Sequence, residues 1–313
     1  MTDPSEAAPP LTRELELTSD VDVMLTLTLL RRGAGDPTTR RDGSVLWRTS
    51  RMATGPVTYR LHQPHRRLVT AEAWGPGAAE MLDGLPALVG AEDDPTGFDP
   101  HHPIVVDSHR RHPGLRVPRT GRVLEALIGG VIEQRVVGLD AFAAWRRLHM
   151  RFGDPAPGPA PHGMRVFPTA ETWASIPSWE WHLAGVDPQR ARTAQACARL
   201  GRQVDDLVTA HGRDHAAVVR GLRSIPGVGV WTAAEVGIRA LGDADAVSFG
   251  DFHVAKDIGH VLAGRPFDDA ELAEALERWR PHRQRVVRLI ALSPLVRPER
   301  RGPRSPRVDH RAI

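Results

Sequence analysis

Hydrophobic and polar positions divide the chain into a first part with period two and a longer part with helical period. Over residues 15–74, short apolar runs alternate between turn signals. Val21-Asp22-Val23-Met24-Leu25-Thr26-Leu27-Thr28-Leu29 alternates strictly, as a half-buried strand does. Arg40-Arg41-Asp42-Gly43 predicts a turn before a strand over 45–49, Gly55-Pro56 precedes one over 57–61, and 67–73 predicts another. Such a run of short strands predicts an antiparallel sheet, followed by a helix over 78–82 and closed by Asp93-Asp94-Pro95. From Arg119 the period changes. Val123, Leu124, Leu127, Ile128, Val131 and Ile132 recur at helical spacing and predict an amphipathic core helix. Gly129-Gly130 within it costs about 1 kcal/mol per glycine, so it implies close packing or a bend. DPAPGPAPHG at 154–163 reads as a rigid, solvated loop. Asp187-Pro188 supplies an N-cap and a first-position proline, Asp268 and Glu271 a capping box, and 279–292 a final helix. The fold class expected is α+β: an α+β sheet domain over 13–114, then an all-α domain over 115–296. The polar tail 1–12 and the arginine- and proline-rich tail 297–313 are expected to be disordered.

Composition narrows this picture. A chain of 313 residues can bury two cores, and 41% hydrophobic content predicts a soluble globular protein. No apolar run approaches the length of a membrane span, and an N-terminus with Asp3 and Glu6 lacks the apolar stretch of a signal peptide, so a cytoplasmic protein is expected. The lone Cys197 excludes internal disulfides, a four-cysteine zinc site and a cysteine-ligated iron–sulfur cluster. His101, His102, His109 and His112 read as solvated histidines in an inter-domain connection, without the convergent carboxylate or cysteine that zinc requires. Net charge is only +3, but Lys256 is the single lysine and every other cationic side chain is arginine, which suits bidentate contact with phosphate. The basic tail would add sequence-independent attraction to DNA.

The stretch from Leu222 to His253 carries the strongest functional signal. Ile225 precedes Pro226-Gly227-Val228-Gly229, and a helix-forming run starts at Val230. Two glycines flanking one valine allow a tight hairpin whose backbone approaches a ligand without Cβ clashes. The free N–H groups and positive end of the next helix favour a phosphate. Leu222 and Ile225 before the turn, with Val236 and Leu241 after it, supply the packing for two helices. This is a helix-hairpin-helix element, which holds a nucleic-acid backbone without reading bases. Further on, Asp251 stands at or next to the N-terminus of a helical run over 252–262. Taken alone it reads as a cap.

The string IPGVGVWTA…LGDADAVSFGDFH resembles the helix-hairpin-helix DNA glycosylases, specifically the 3-methyladenine (alkylated-base) DNA glycosylase II branch. The alternating sheet, Trp74-Gly75-Pro76-Gly77-Ala78 and Asp93-Asp94-Pro95 resemble that branch's N-terminal domain, a small α+β unit like half of the TATA-binding protein. The resemblance implies that Asp251 is the catalytic residue of a base-excision-repair enzyme that flips out alkylated purines and hydrolyses the N-glycosidic bond. It further implies that Pro226, Gly227, Val228 and Gly229 hold the DNA backbone, and that Gln134 precedes a residue entering the vacated duplex. Here that residue is Arg135, where an apolar wedge is more usual, and a plain surface arginine is the alternative. Trp231, Glu235 and Gln134 are expected around the substrate pocket, with Trp231 its aromatic wall or else a core tryptophan. Main-chain carbonyls of Arg223, Ile225 and Val228 are expected to hold a monovalent cation; no other cofactor is required. The sequence departs from the family at Glu235, where a relative can present tyrosine, and at Ala291, where an aromatic can line the pocket. A bifunctional glycosylase/lyase would carry lysine where Trp231 stands, so a monofunctional enzyme is expected. The expected partner is double-stranded DNA containing damaged bases, bound by a monomer at the nucleoid. A non-catalytic or lesion-altered helix-hairpin-helix DNA-binding protein is the alternative.

Overall fold

Residues 9–294 are described by the computed structural model; residues 1–8 and the expected tail over 297–313 lie outside them. Strands β1 (Leu11–Glu16), β2 (Thr39–Asp42), β3 (Val45–Met52), β4 (Gly55–His65) and β5 (Leu68–Trp74) form one antiparallel sheet in the order β1-β5-β4-β3-β2. β1 begins inside the segment expected to be a tail, because Leu11 and Thr12 pair with Ala73 and Glu72 along the edge of β5. The alternating segment 21–29 is not a strand. It forms helix α1 (Val23–Leu27) and a 3-10 turn (Thr28–Leu30), with the Asp22 side chain accepting from the Leu25 N–H. Val23, Leu27 and Leu30 face the sheet's core while Leu25 packs into a different core. A helix buried on two sides carries apolar residues at spacings that imitate period two.

Helices α2 (Ala78–Asp83) and α3 (Leu85–Leu88) cover one face of the sheet, where Met81, Leu85 and Leu88 pack with Tyr59, Leu61 and Val69. The histidine-bearing connection is also helical. α4 (Pro103–Arg111) starts at a proline whose missing N–H costs nothing there, and His102 caps it. Helix α5 (Val123–Glu133) is central rather than amphipathic, since every residue from Val123 to Ile132 except Glu125 is buried. A Cβ on Gly129 would sit 2.0 Å from the Arg32 guanidinium, so the glycine lets Arg32 lie across the helix to reach Glu133. α6 (Gly138–Phe152), α7 (Ala170–Ser175), α8 (Ser178–Leu183), α9 (Pro188–Arg199), α10 (Gly201–His211), α11 (His215–Arg223) and α12 (Val230–Val236) surround α5 and share its core. A last set, α13 (Val254–Ala263), α14 (Asp269–Glu277) and α15 (Arg283–Leu292), closes with α4 around Leu272, Leu276, Trp279 and Leu289. The caps expected at Asp187 and Asp268 are formed. The final helix starts four residues later than expected, after Pro281, which has no N–H to continue a helix backward.

DPAPGPAPHG is a loop with no buried residue, as expected, but one side of it packs. It straps the outer face of the sheet, with Ala156 and Ala160 packed on the stacked Trp47–Trp74 pair, whose ring centroids are 5.6 Å apart. Buried ion pairs fix the sheet unit against the helices. Arg48 donates to Glu125 at 2.8 Å, and Arg285 on α15 makes a bidentate pair with Asp93 at 2.7 and 2.9 Å. Removing one partner of such a pair costs about 3–5 kcal/mol, so these pairs enforce the placement of the two units. Among the described residues, no helix is long and apolar enough to cross a membrane.

Candidate active site and nucleic-acid interface

The hairpin forms as its sequence dictates. Leu222, Ile225 and Val228 are buried in the α5 core, while Pro226, Gly227 and Gly229 are exposed at the tip. Gly227 has φ +89°, and a Cβ there would meet Thr193 Oγ1 at 2.3 Å, so both conformation and space demand glycine. Gly229 differs: its φ is −92° and a Cβ would meet nothing within 4 Å. As the N-cap of α12 it brings no side chain, so the first N–H groups of the helix stay open to a ligand. Gln134, expected near the pocket, clasps the hairpin instead. Its Nε2 donates to the Gly227 carbonyl at 2.9 Å and to Thr232 Oγ1 at 2.8 Å.

Asp251 is half-buried in the turn before α13, which begins at Val254 rather than Phe252. One carboxylate oxygen accepts from the N–H groups of His253 at 2.8 Å and Val254 at 3.1 Å. The other accepts from the Trp231 indole N–H at 3.1 Å. Trp231 is therefore neither a core residue nor a wall of the cavity described next; its ring holds the carboxylate. Three N–H donors thus fix the orientation of the carboxylate at the start of α13.

Asp251 borders a cavity of about 110 Å³ lined also by Leu29, Glu235, Ile238, Arg239, Ser248, Val254, Gln284 and Val287. Of the residues expected at the pocket, only Glu235 lines it. The wall is assembled from distant pieces: Leu29 comes from the sheet unit, and Gln284 and Val287 come from α15. Past α12 the helix widens to π-helical spacing over Gly237–Leu241, which carries Ile238 and Arg239 into the wall. Glu235 is 8% exposed and accepts from Ser248 Oγ at 2.5 Å and from Arg239 Nη1. Arg239 Nε donates to the Leu29 carbonyl at 3.2 Å. Burial alone would lower the Arg239 pKa, but Glu235 and, at longer range, Glu133 hold it above the ordinary arginine value. Ala291 is exposed and does not line the cavity. Leu29, Ser248 and Gln284 were not legible as site residues. Only Gln284 left a trace, as a buried polar residue among the apolar positions of α15.

Exposed residues follow Gln134 and Asp251 in the chain. Arg135 projects from the α5–α6 turn with φ +49°, followed by Val137 and Leu139, which are 47% and 60% exposed. A non-glycine residue held in the left-handed region stores strain that surrounding structure must offset. Phe252 is 73% exposed beside Asp251, and Lys256 Nζ lies 3.6 Å from its ring centroid.

No family model matches the chain. By sequence it is 34% identical over 223 residues to the probable bifunctional transcriptional activator/DNA repair enzyme AlkA of Mycobacterium tuberculosis; the match covers 70% of this chain and 41% of that protein. The chain thus spans less than half the length of this relative. By structure it matches a 3-methyladenine DNA glycosylase from Archaeoglobus fulgidus with a TM-score of 0.73 at 18% identity, covering 89% of this chain and 97% of that one. It also matches an 8-oxoguanine glycosylase/lyase from Clostridium acetobutylicum with a TM-score of 0.64 at 11% identity, covering 91% and 98%. At such identities the likeness is one of fold.

Proposed function

We propose an activity for a chain that belongs, by its homology to AlkA and by its fold, to the helix-hairpin-helix DNA glycosylases: it removes alkylated purines from double-stranded DNA by hydrolysing the N-glycosidic bond. The observation that carries the reading is the Asp251 carboxylate, held by Trp231 and two backbone N–H groups at the mouth of a cavity beside the hairpin. A glycosidic bond inside a duplex is out of reach, so the nucleotide must be extruded, at a cost of a few kcal/mol. The hairpin N–H groups grip the phosphates beside it and Arg135 enters the vacated stack. Main-chain carbonyls of Arg223, Ile225 and Val228 would hold a monovalent cation at the hairpin, supplying positive charge toward a phosphate. The Ile225 carbonyl accepts the Val228 N–H at 3.0 Å and keeps a second lone pair for this. Asp251 then faces the sugar and stabilises the oxocarbenium-like transition state as the base departs. A cationic alkylated purine is already a good leaving group, so one carboxylate suffices.

The enzyme stops after base release. Strand cutting through a Schiff base needs a neutral amine at the sugar. An indole stands where that amine would be, and Lys256 packs over Phe252 on the exposed side of α13. Incubation with duplexes bearing single defined lesions, scored for abasic sites, tests the activity: sites at alkylated purines are expected, and none at any lesion would refute it. Borohydride added during turnover is expected to trap no protein–DNA adduct; a strong adduct lost in Lys256→Ala would refute the monofunctional mechanism.

A further inference from the structure

We infer that Phe252 and Lys256 clamp the damaged strand outside the cavity: the ammonium pairs with a backbone phosphate flanking the extruded nucleotide, and the ring packs on the adjoining sugar. This rests on the glycosylase reading above. Neither residue lines the cavity. Phe252 follows Asp251 directly and, at 73%, is the most exposed large hydrophobic side chain among the described residues. Exposure alone decides nothing, since single apolar residues are common on surfaces. What distinguishes this ring is how it is held.

The turn that carries Phe252 is pinned on both sides. The Gly250 N–H donates to the Asp269 carboxylate at 2.8 Å, and the Asp251 N–H to the Ser248 carbonyl at 3.2 Å. Just beyond the ring, the His253 and Val254 N–H groups donate to the Asp251 carboxylate. Phe252 is thus fixed by the same bonds that orient that carboxylate. Lys256, one helical turn on, sets Nζ 3.6 Å from the ring centroid, and the His253 ring stands nearly perpendicular to Phe252 with centroids 5.0 Å apart. Among the described residues Lys256 has no carboxylate partner, so the ring is what positions its charge.

Reach follows from the spacing of the two chains. Consecutive Cα atoms lie about 3.8 Å apart, and a DNA strand carries a phosphate about every 3.4 Å along its axis. A sugar brought to Asp251 therefore carries a flanking phosphate and sugar toward the next residue and the ammonium resting on it. A compact ammonium suits a phosphate oxygen, and the apolar ring suits the C–H face of a deoxyribose. The contact reads no base. A phosphate partner also keeps the ammonium protonated, and a protonated amine forms no Schiff base.

The test uses the full chain and a duplex with one abasic site, with binding followed by anisotropy over a series of salt concentrations. Lys256→Met keeps the stem and removes the charge. It is expected to flatten the slope of log K against log salt by about 0.9, and Lys256→Arg to restore it. Phe252→Ala is expected to weaken binding about fivefold, the share of a ring partly covered by the strand. Both side chains are exposed, so Tm should stay close to wild type. Neutral methylphosphonates at single linkages flanking the abasic site locate the contact: wild type should lose affinity at one linkage where Lys256→Met loses none. Lys256→Met with the wild-type salt slope or the wild-type sensitivity at every linkage, or Phe252→Ala with wild-type affinity, would overturn the clamp alone. A wild-type protein that does not bind the abasic duplex would overturn it together with the glycosylase reading; one that binds as expected yet releases no base would refute that reading only.

Discussion

Replacing Asp251 with asparagine separates its charge from its capping role. In the folded protein one carboxylate oxygen accepts from His253 and Val254, and the other from the Trp231 indole. Asparagine can keep the first pair through its amide oxygen, which holds the start of α13. Its amide nitrogen then faces the indole N–H, donor against donor, so that one hydrogen bond is lost. For half-buried groups this costs about 1 kcal/mol, which lowers Tm by about 2–4 °C in a domain of this size. The chemical loss is larger. A carboxylate about 4 Å from the positive charge developing on the sugar, at an effective dielectric constant of about 20, contributes about 4 kcal/mol. At about 1.4 kcal/mol per power of ten, base release should fall about a thousandfold. The assay is single-turnover release of 3-methyladenine from a duplex, with binding to an abasic duplex measured by anisotropy and expected to stay nearly intact. Asp251→Ala should match this loss of rate while giving up about 1 kcal/mol more stability, because the cap goes too. A folded Asp251→Asn protein that turns over within tenfold of wild type would refute the electrostatic role of Asp251.

Three further outcomes are expected. Trp231→Phe keeps an aromatic ring but removes the donor to Asp251, so single-turnover release should slow about tenfold with duplex binding unchanged; an unchanged rate would reduce Trp231 to packing. Gly227→Ala forces a Cβ onto Thr193 and should weaken both folding and duplex binding, whereas Gly229→Ala, with open space around it, should melt like wild type yet bind all duplex sequences less tightly. A sequence-selective loss in Gly229→Ala would contradict a backbone-only role for the hairpin. Arg135→Gly relieves a left-handed backbone and should raise Tm while slowing reaction on duplex more than on single strands; equal effects on both substrates would mark Arg135 as a surface residue.

What the sequence disclosed was local. The hairpin, the Asp187 cap and the capping box at Asp268 depend on residues within a few positions of one another, so their signals survive in the linear order. The strands β3 to β5 are likewise bounded by their own turns. Misreadings came where burial is set by a distant partner. Residues 21–29 look like a strand because α1 is wedged between two cores, and each takes its own share of the apolar positions. The packing side of DPAPGPAPHG went unread because nothing within it announces Trp47 and Trp74, which lie far earlier in the chain and pack against its alanines. The contacts of Trp231 and Gln134 were not legible in the sequence. Their hydrogen bonds go to Asp251 and to the hairpin backbone, and side-chain direction at that scale is fixed only by tertiary packing.

The sheet unit, chemically silent in the sequence, enters the site through this same long-range logic. Leu29 gives the cavity a wall and gives Arg239 its carbonyl acceptor, so the arginine that steadies Glu235 is itself oriented from the N-terminal side. On the opposite wall, Gln284 and Val287 ride on α15, and Asp93 locks the neighbouring Arg285 in a pair with both side chains 3% exposed. A pair so deeply buried gains little net stability over apolar packing, yet it penalises every arrangement in which the two charges separate. It therefore holds α15 against the segment that follows the sheet. On the proposed reading, Asp251 and the hairpin supply the reaction, and the cavity that would receive the departing base takes its shape where the sheet unit and the last helix meet.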